Sequence, residues 1–350
     1  MPSPSAFFYK VTRYEYWPWW LFYLPMLPYY MYQAVRTGSL TFPTSVNPAI
    51  YGGGFYGEKK TDILQHLSPE YLPITVLVEK GITFPQILNL IAENELTFPI
   101  ITKPNVGERG TDVEKVISEA QLNQYVDRVK EDFLIQEFIP YPVELAVLYS
   151  RLPSKTTGEV SSITGKEFLS VTGDGSSTIE QLVLKKTRAV LQLTVLRKRM
   201  GNKLQTILSV NEIYLLEPIG NHCRGTKFLN ANQLITAEVN AIFDKISEPY
   251  QNFFYGRFDL KVSSEEDFQN GQNIKIMELN GISADPGHVF DPDYKLLNAY
   301  KDLSWHWKRL ADIHLENKLR GHLPMSTREV WGIVKTTFFT MPQTGKKTIS

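Results

Sequence analysis

Two segments late in the chain, Tyr255 to Lys261 and Ile274 to Gly281, alternate apolar with polar residues, the period-two pattern of strands with one buried face. A polar turn containing Asn270-Gly271 joins them and predicts an antiparallel hairpin. Successive strand side chains point to opposite faces, so Arg257, Asp259 and Lys261 share one face, and Glu278 and Asn280 share one face of the partner. Upstream, a helical stretch from Glu58 through Ile63, Leu64 and Leu67 leads to a strand at Ile74–Val78. Helically spaced Ile87, Leu88, Ile91 and Ala92 follow, and then a strand, Phe98 to Lys103, that runs into the loop Pro104 to Thr111. Strand, helix, strand and glycine loop form an α/β signature. A helix over 120–129, strands over 133–138 and 144–149, a turn over 151–158 and a glycine-supported loop over 172–177 ahead of a helix from Thr178 complete the pass. Gly52-Gly53-Gly54 with Gly57 predicts a flexible loop.

The 350 residues leave room for two or three domains. Lys and Arg number 37 and so do Asp and Glu, which excludes the basic excess of a nucleic-acid binder; no nucleic-acid partner is expected. Cys223 is the one cysteine, so no internal disulfide or multi-cysteine metal site exists, and a reducing, cytoplasmic setting is expected. Lysines and arginines crowd 185–203, a run expected to be a solvated helix face. From Tyr16 to Val35 the chain carries no charge and is dense in Trp and Tyr, yet Pro18, Pro25 and Pro28 argue against a spanning helix. Two readings stand open for this arm: peripheral contact with the inner face of a membrane through residues 16–35, or packing on the protein itself or on a second subunit as a homodimer.

Chemistry concentrates on the hairpin. If its register puts the two polar faces together, Asp259, Glu278 and the Asn280 amide oxygen converge, a hard-oxygen set suited to one or two Mg²⁺, with Mn²⁺ as an alternative. Lys103 beside the loop at 105–111 adds a phosphate-binding signal: glycines 107 and 110 allow close backbone approach and the lysine offsets phosphoryl charge. No Gly-Lys-Ser/Thr follows Gly110, so this is not a Walker loop. Asn221, Arg224 and Thr226 are candidate substrate or phosphate contacts from a loop, as is His288. Cys223 beside His222 has the composition but not the geometry of a thiolate nucleophile.

Taken together these segments resemble the ATP-grasp ligases, in particular the D-alanine–D-alanine ligase branch, over roughly residues 58–300. Val171 to Ile179 is similar to a stretch of cyanophycin synthetase. The resemblance implies an α+β ATP-grasp fold, two α+β lobes sandwiching ATP, with a shortened and atypical N-terminal region. Its parts are an arm and glycine loop over 1–57, a first lobe with the lid over 58–140, a second lobe over 141–325 and a tail over 326–350. It places the first nucleotide lysine at Lys60, with Lys59 as rival, and the second at Lys103. Asn105, Gly107, Gly110 and Thr111 fall on the lid; Gln136, Glu137, Ile139 and Glu144 fall on the adenine and ribose hinge. The family's Arg-x-Asp and Glu-x-Asn pairs match Arg257, Asp259, Glu278 and Asn280, which makes Arg257 and Lys103 the catalytic cations, while Ser283, Gly287 and His288 line the substrate end. The implied reaction joins a small carboxylate to an amine through an acylphosphate. The alternative is a catalytically silent, membrane-associated ATP-binding scaffold. Gly281 to Asp285 separate Asn280 from Pro286-Gly287, where that branch has a tighter Asn-x-x-Pro-Gly, so a D-alanine dipeptide product is not implied.

Overall fold

The computed structural model describes residues 4–55, 59–106, 112–218, 220 and 222–335. The predicted glycine lid at 107–111, Gly57, Asn221 and the tail from 340 lie outside them. Its strands are β1 (Thr75–Val78), β2 (Ile100–Pro104), β3 (Glu114–Val116), β4 (Phe133–Glu137), β5 (Val143–Ser150), β6 (Glu159–Glu167), β7 (Ser170–Thr172), β8 (Ile213–Leu215), β9 (Lys227–Asn230), β10 (Tyr255–Val262) and β11 (Ile274–Asn280). Contacts divide the chain into a smaller unit, Met1–Leu27, Thr164–Ala231 and Gly287–Asp302, and a larger one, Pro28–Ile163, Asn232–Pro286 and Leu303–Ser350.

In the larger unit β1, β4, β2 and β3 form one sheet in that order. β4 is antiparallel to both β1 and β2, so those two run parallel but never touch. The strand-helix-strand pattern therefore belongs to an antiparallel sheet, and the fold class is α+β, not α/β. The helix between them, Phe84–Glu93, starts at a capping box in which Thr83 and Gln86 satisfy each other's orphan donors. Its buried Ile87 and Ile91 meet Val78, Ile100, Leu122, Tyr125, Phe133 and Ile135 in one core. A second sheet carries β11, β10, β5 and β6 in order. β10 and β11 pair antiparallel as their alternation predicts, but the helix Glu265–Gln269, capped by Ser264, joins them where a bare turn was expected. Asn270-Gly271 closes that helix, Gly271 at φ +70°.

The expected flexible loop at Gly52–Gly54 is an ordered turn. Gly54 holds φ +83°, and its carbonyl and that of Gly53 accept hydrogen bonds from the amides of Ser283 and Ile282. Nearby, Phe42 and Val46 pack with Leu148, Phe254, Tyr255, Leu310, Ala311 and Ile313. The helix Leu27–Thr37 buries Gln33, Ala34 and Thr37.

In the smaller unit β7 pairs with β8, and residues Thr164 to Glu167 of β6 pair with β9. Leu169, Val171, Ile179, Leu182, Val183, Leu196, Leu204 and Leu216 fill the core. The first part of the aromatic arm packs here: Phe22, 2 % exposed, stacks on Tyr14 at 5.6 Å and touches Phe290 and Tyr300. The basic run is a solvated face, as expected, at Lys185, Arg197, Lys198, Arg199 and Lys203, and Arg188 is its buried exception. Arg188 is buried on Glu15 at 2.5 Å, Arg197 meets Glu180 at 2.6 Å, Lys185 meets Asp174 at 3.1 Å, and Arg199 bonds Glu217.

Candidate functional site

Register decides the geometry of the polar face. On β10 and β11 the partners are Arg257 with Asn280 and Asp259 with Glu278, and directly opposed residues of an antiparallel pair project to the same side. Both carboxylates, the amide and the guanidinium therefore share one face. Arg257 donates to Asp259 Oδ2 from Nη2 at 3.0 Å and from Nε at 3.3 Å, and Asn280 Nδ2 donates to the same oxygen at 2.9 Å. After Asp259 the register slips, Leu260 opposing Ile276, so Met277 is an extra residue on β11. A bulged residue leaves the ladder locally open, and the Met277 carbonyl accepts a hydrogen bond from Lys103 Nζ at 3.0 Å. Lys103 also donates to Gln136 Oε1 at 3.0 Å. Lys60 Nζ lies 3.6 Å from Glu278 Oε1. It is held there by Asn105, whose carbonyl accepts from the Lys60 amide and whose Oδ1 accepts from the Thr61 amide, anchoring the first turn of the helix Lys60–Leu64.

The electrostatics of this cluster follow from burial. Lys103 is only 6 % exposed; loss of hydration pushes its ammonium down from 10.5 to about 8, Glu278 opposing that change and Lys60 adding to it. Burial also opposes the charge of Arg257, but Asp259 beside it more than compensates and the net shift is upward. Among the described residues no three His, Cys, Asp or Glu side chains cluster as a metal site. Asp259 and Glu278 with the Asn280 amide oxygen form a two-carboxylate set. Their cross-strand opposition puts both on one side of the sheet, and hard oxygen donors of this kind suit Mg²⁺, which keeps waters and takes few protein ligands, better than a softer metal.

Other candidates fall around this cluster or away from it. Gln136 Nε2 donates to Thr75 Oγ1, Glu137 Oε2 accepts from the Ile74 amide at 3.1 Å, and the carbonyl of buried Ile139 accepts from Lys261 Nζ at 3.2 Å. Glu144 opposes Lys261 across β5 and β10. Ser283 is exposed just past β11. Arg224, Thr226, Gly287 and His288 all belong to the smaller unit. Arg224 sits 3.6 Å from Glu217, the carbonyl of buried Thr226 accepts from Arg188, Gly287 lies against Thr164, and His288 Nε2 meets Asp302 at 3.1 Å. His222 Nε2 is engaged in a hydrogen bond with Glu15 Oε2 at 2.9 Å and not with a thiol; Cys223→Ser is expected to leave any turnover within about twofold of wild type, and a loss of tenfold or more would put the thiol back into the chemistry.

Sequence reasoning missed Asn47, the backbone role of Met277, and Asp285, whose carbonyl accepts from Arg257 Nη1 at 3.4 Å. No local signal announces these contacts, since Met277 and Asp285 act through backbone carbonyls that any residue would supply.

No family model matches the chain, and no curated protein matches it. Among solved structures, the VanG D-Ala:D-Ser ligase from Enterococcus faecalis is similar over 73 % of this chain and 61 % of its own, with 15 % identity and a TM-score of 0.42. D-alanine–D-alanine ligase from Bacillus anthracis is similar over 75 % of this chain and 67 % of its own, with 17 % identity and a TM-score of 0.39. A bifunctional glutathione synthetase from Pasteurella multocida covers 69 % of this chain and 35 % of its own, at 13 % identity and a TM-score of 0.38. The chain thus spans about 61 % of the length of the VanG ligase.

Proposed function

We propose that this protein is an ATP-grasp ligase that joins a carboxylate to an amine at the expense of ATP, releasing ADP and phosphate. The observation that carries the reading is the single polar face of β10 and β11, where Asp259 opposes Glu278 and Arg257 opposes Asn280, with Lys60 and buried Lys103 beside it. Asp259, Glu278 and Asn280 would hold Mg²⁺, which offsets the charge that builds on the phosphates during phosphoryl transfer. Lys103 and Lys60 bind phosphate oxygens. The substrate carboxylate oxygen forms a bond to the γ-phosphorus as the bond to the ADP oxygen breaks, giving an acylphosphate. The amine attacks its carbonyl carbon, Arg257 stabilises the oxyanion, and phosphate leaves as the amide forms.

The test is ADP release from Mg-ATP with pooled carboxylates and hydroxylamine. Glu278→Gln keeps the shape and removes the charge, and it should lower hydroxamate formation by at least about 100-fold. Nucleotide bound with no ADP from any pool would replace this reading with that of a silent ATP-binding protein. A titration signature accompanies it. Lys103 is mostly neutral above about pH 8, and phosphate beside it favours the charged form, so at pH 8.5 nucleotide binding should take up roughly 0.7 proton. Calorimetry in phosphate and in Tris reads this as a buffer-dependent heat; equal heats would exclude it.

A membrane role for the arm rests on a separate observation. Within the smaller unit Trp19, Trp20, Leu24 and Leu27 are 73, 55, 57 and 52 % exposed, and no acidic residue stands between Tyr16 and Gly57 to repel anionic headgroups. No helix of the described residues is long and apolar enough to cross a bilayer. Peripheral contact at the headgroup level is the chemistry these side chains suit. Flotation with phosphatidylserine vesicles should be lost in Trp19→Ser/Trp20→Ser; an unfloated wild type that sediments as a dimer would assign the face to a second copy.

A further inference from the structure

Asn47 is fully buried and all its side-chain hydrogen-bonding capacity toward the backbone is used. Its Nδ2 donates to the carbonyls of Gly53 at 3.0 Å and Tyr255 at 2.8 Å. Its Oδ1 accepts from the amides of Phe254 at 2.8 Å and Tyr255 at 3.0 Å. One amide thus ties the Gly52–Gly54 turn to the first residue of β10, two positions before Arg257. The same turn is bonded to the far end of the partner strand. Gly53 and Gly54 carbonyls accept from the Ile282 amide at 3.1 Å and the Ser283 amide at 3.2 Å, directly after Asn280. The approach tolerates no side chain: a Cβ on Gly54 would stand 2.7 Å from Gly281 Cα, and one on Gly281 would stand 2.4 Å from the Gly53 carbonyl oxygen.

We infer that Asn47 and the Gly53-Gly54 turn are positioning elements of the site, a brace that fixes the spacing between the ends of β10 and β11 and so the convergence of Arg257, Asp259, Glu278 and Asn280. The inference rests on the ATP-grasp reading for its chemistry, but the brace is defined by the backbone alone. β10 and β11 are in register from Arg257 to Asp259 and then slip by one at Met277. A pair next to a bulge has a weaker ladder to hold its ends, and the brace supplies the missing restraint from a third segment. Beyond the turn the chain leads on to Lys60, whose ammonium reaches Glu278; both ends of residues 47–60 are therefore tied to the two strands that carry the polar face.

The variants are Asn47→Asp, which keeps the shape but turns two donors into a carboxylate facing carbonyls, and Gly54→Ala, which wedges the turn from Gly281. Folding is checked by circular dichroism melting. Two readouts follow on the full chain. Hydrogen exchange of the Ile282 and Ser283 amides should be slow in the wild type and at least about 100-fold faster in either variant that melts cooperatively. Mn²⁺-ATP binding, followed by the Mn²⁺ electron paramagnetic resonance signal, should weaken at least tenfold, while metal-free ATP binding, which depends on Lys103 and on Lys60 held by Asn105, changes less than twofold. A simple loss of stability would weaken both forms of ATP alike. Wild-type Mn²⁺-ATP affinity in a folded variant overturns the brace as a positioning device. If the wild type binds no nucleotide in either form, the ATP-grasp reading fails, and the brace is then judged on exchange alone: fast-exchanging Ile282 and Ser283 amides in the wild type overturn it. If neither variant folds, that same wild-type exchange measurement decides.

Discussion

Lys103→Met should remove ATP-dependent hydroxamate formation, by at least about 1000-fold, and yet unfold no more easily than the wild type at pH 7. Loss of activity follows, on the proposed reaction, from removing the buried cation assigned to the phosphates. The stability term has the opposite sign because the fold holds this ammonium at a cost. Its ordinary value of 10.5 falls to about 8 inside the protein, so at pH 7 the folded state carries a charge that burial disfavours by up to about 3 kcal/mol. Between pH 8 and 10.5 the unfolded chain binds more protons, and wild-type stability should rise with pH across that window. Methionine avoids the penalty, fills a similar volume and gives up the two hydrogen bonds to Gln136 and Met277. Those lost bonds come from a charged donor, about 1.5–3 kcal/mol each, and cancel most of the gain, so the two proteins should be close in stability at pH 7. Urea titrations at pH 7 and at pH 10 test the sign: the stability of the variant relative to wild type should fall at the higher pH. A variant that is destabilised by several kcal/mol at pH 7 would mean that Lys103 is a structural brace and not a strained functional group.

The second large effect is expected in the smaller unit. Arg188→Met should lower the unfolding free energy by about 3–5 kcal/mol, because it leaves a carboxylate buried without its partner. Glu15 and Arg188 side chains are 2 and 8 % exposed and meet at 2.5 Å. Burial alone would push the Glu15 carboxyl up, but the His222 hydrogen bond and Arg188 hold it below its ordinary value. A depressed carboxyl stabilises the fold above its ordinary range near 4.5 and loses that contribution as pH falls through its folded value. Glu15 Oε1 finds no hydrogen bond among the described residues, so its charge depends on what Oε2 touches. The double variant Glu15→Leu/Arg188→Met removes both charges and should recover most of the loss. Equal stability of wild type and Arg188→Met in urea would show that the pair holds nothing.

How much of this was legible in the sequence depends on the range of the interaction. The polar faces of β10 and β11 were readable one strand at a time because alternation is a local signal, but the convergence of Asp259 and Glu278 depended on a register that alternation does not give. Lys103 was readable as the end of a hydrophobic strand, but not its coupling to the Met277 carbonyl, which depends on a bulge. The α/β signature misled because order along the chain does not say which strand is inserted between β1 and β2; β4 arrives from residue 133 onward. The glycine turn was misread because three glycines report permissive backbone angles and say nothing of Gly281, more than two hundred positions later. The basic run was legible as a solvated face except at Arg188, whose buried partner is Glu15, in an arm whose aromatic composition drew attention to lipid.

That separation has a consequence during synthesis. Glu15 and Phe22 are made well before Arg188, Phe290 and Tyr300, which they pack against. At roughly 5–20 residues per second the interval to Tyr300 is about 15–60 s. For that time the nascent arm presents Trp, Tyr and a buried-to-be carboxylate without their partners. The smaller unit therefore completes its packing only after Tyr300 has been made, and until then Glu15 and Phe22 stand without the side chains that bury them.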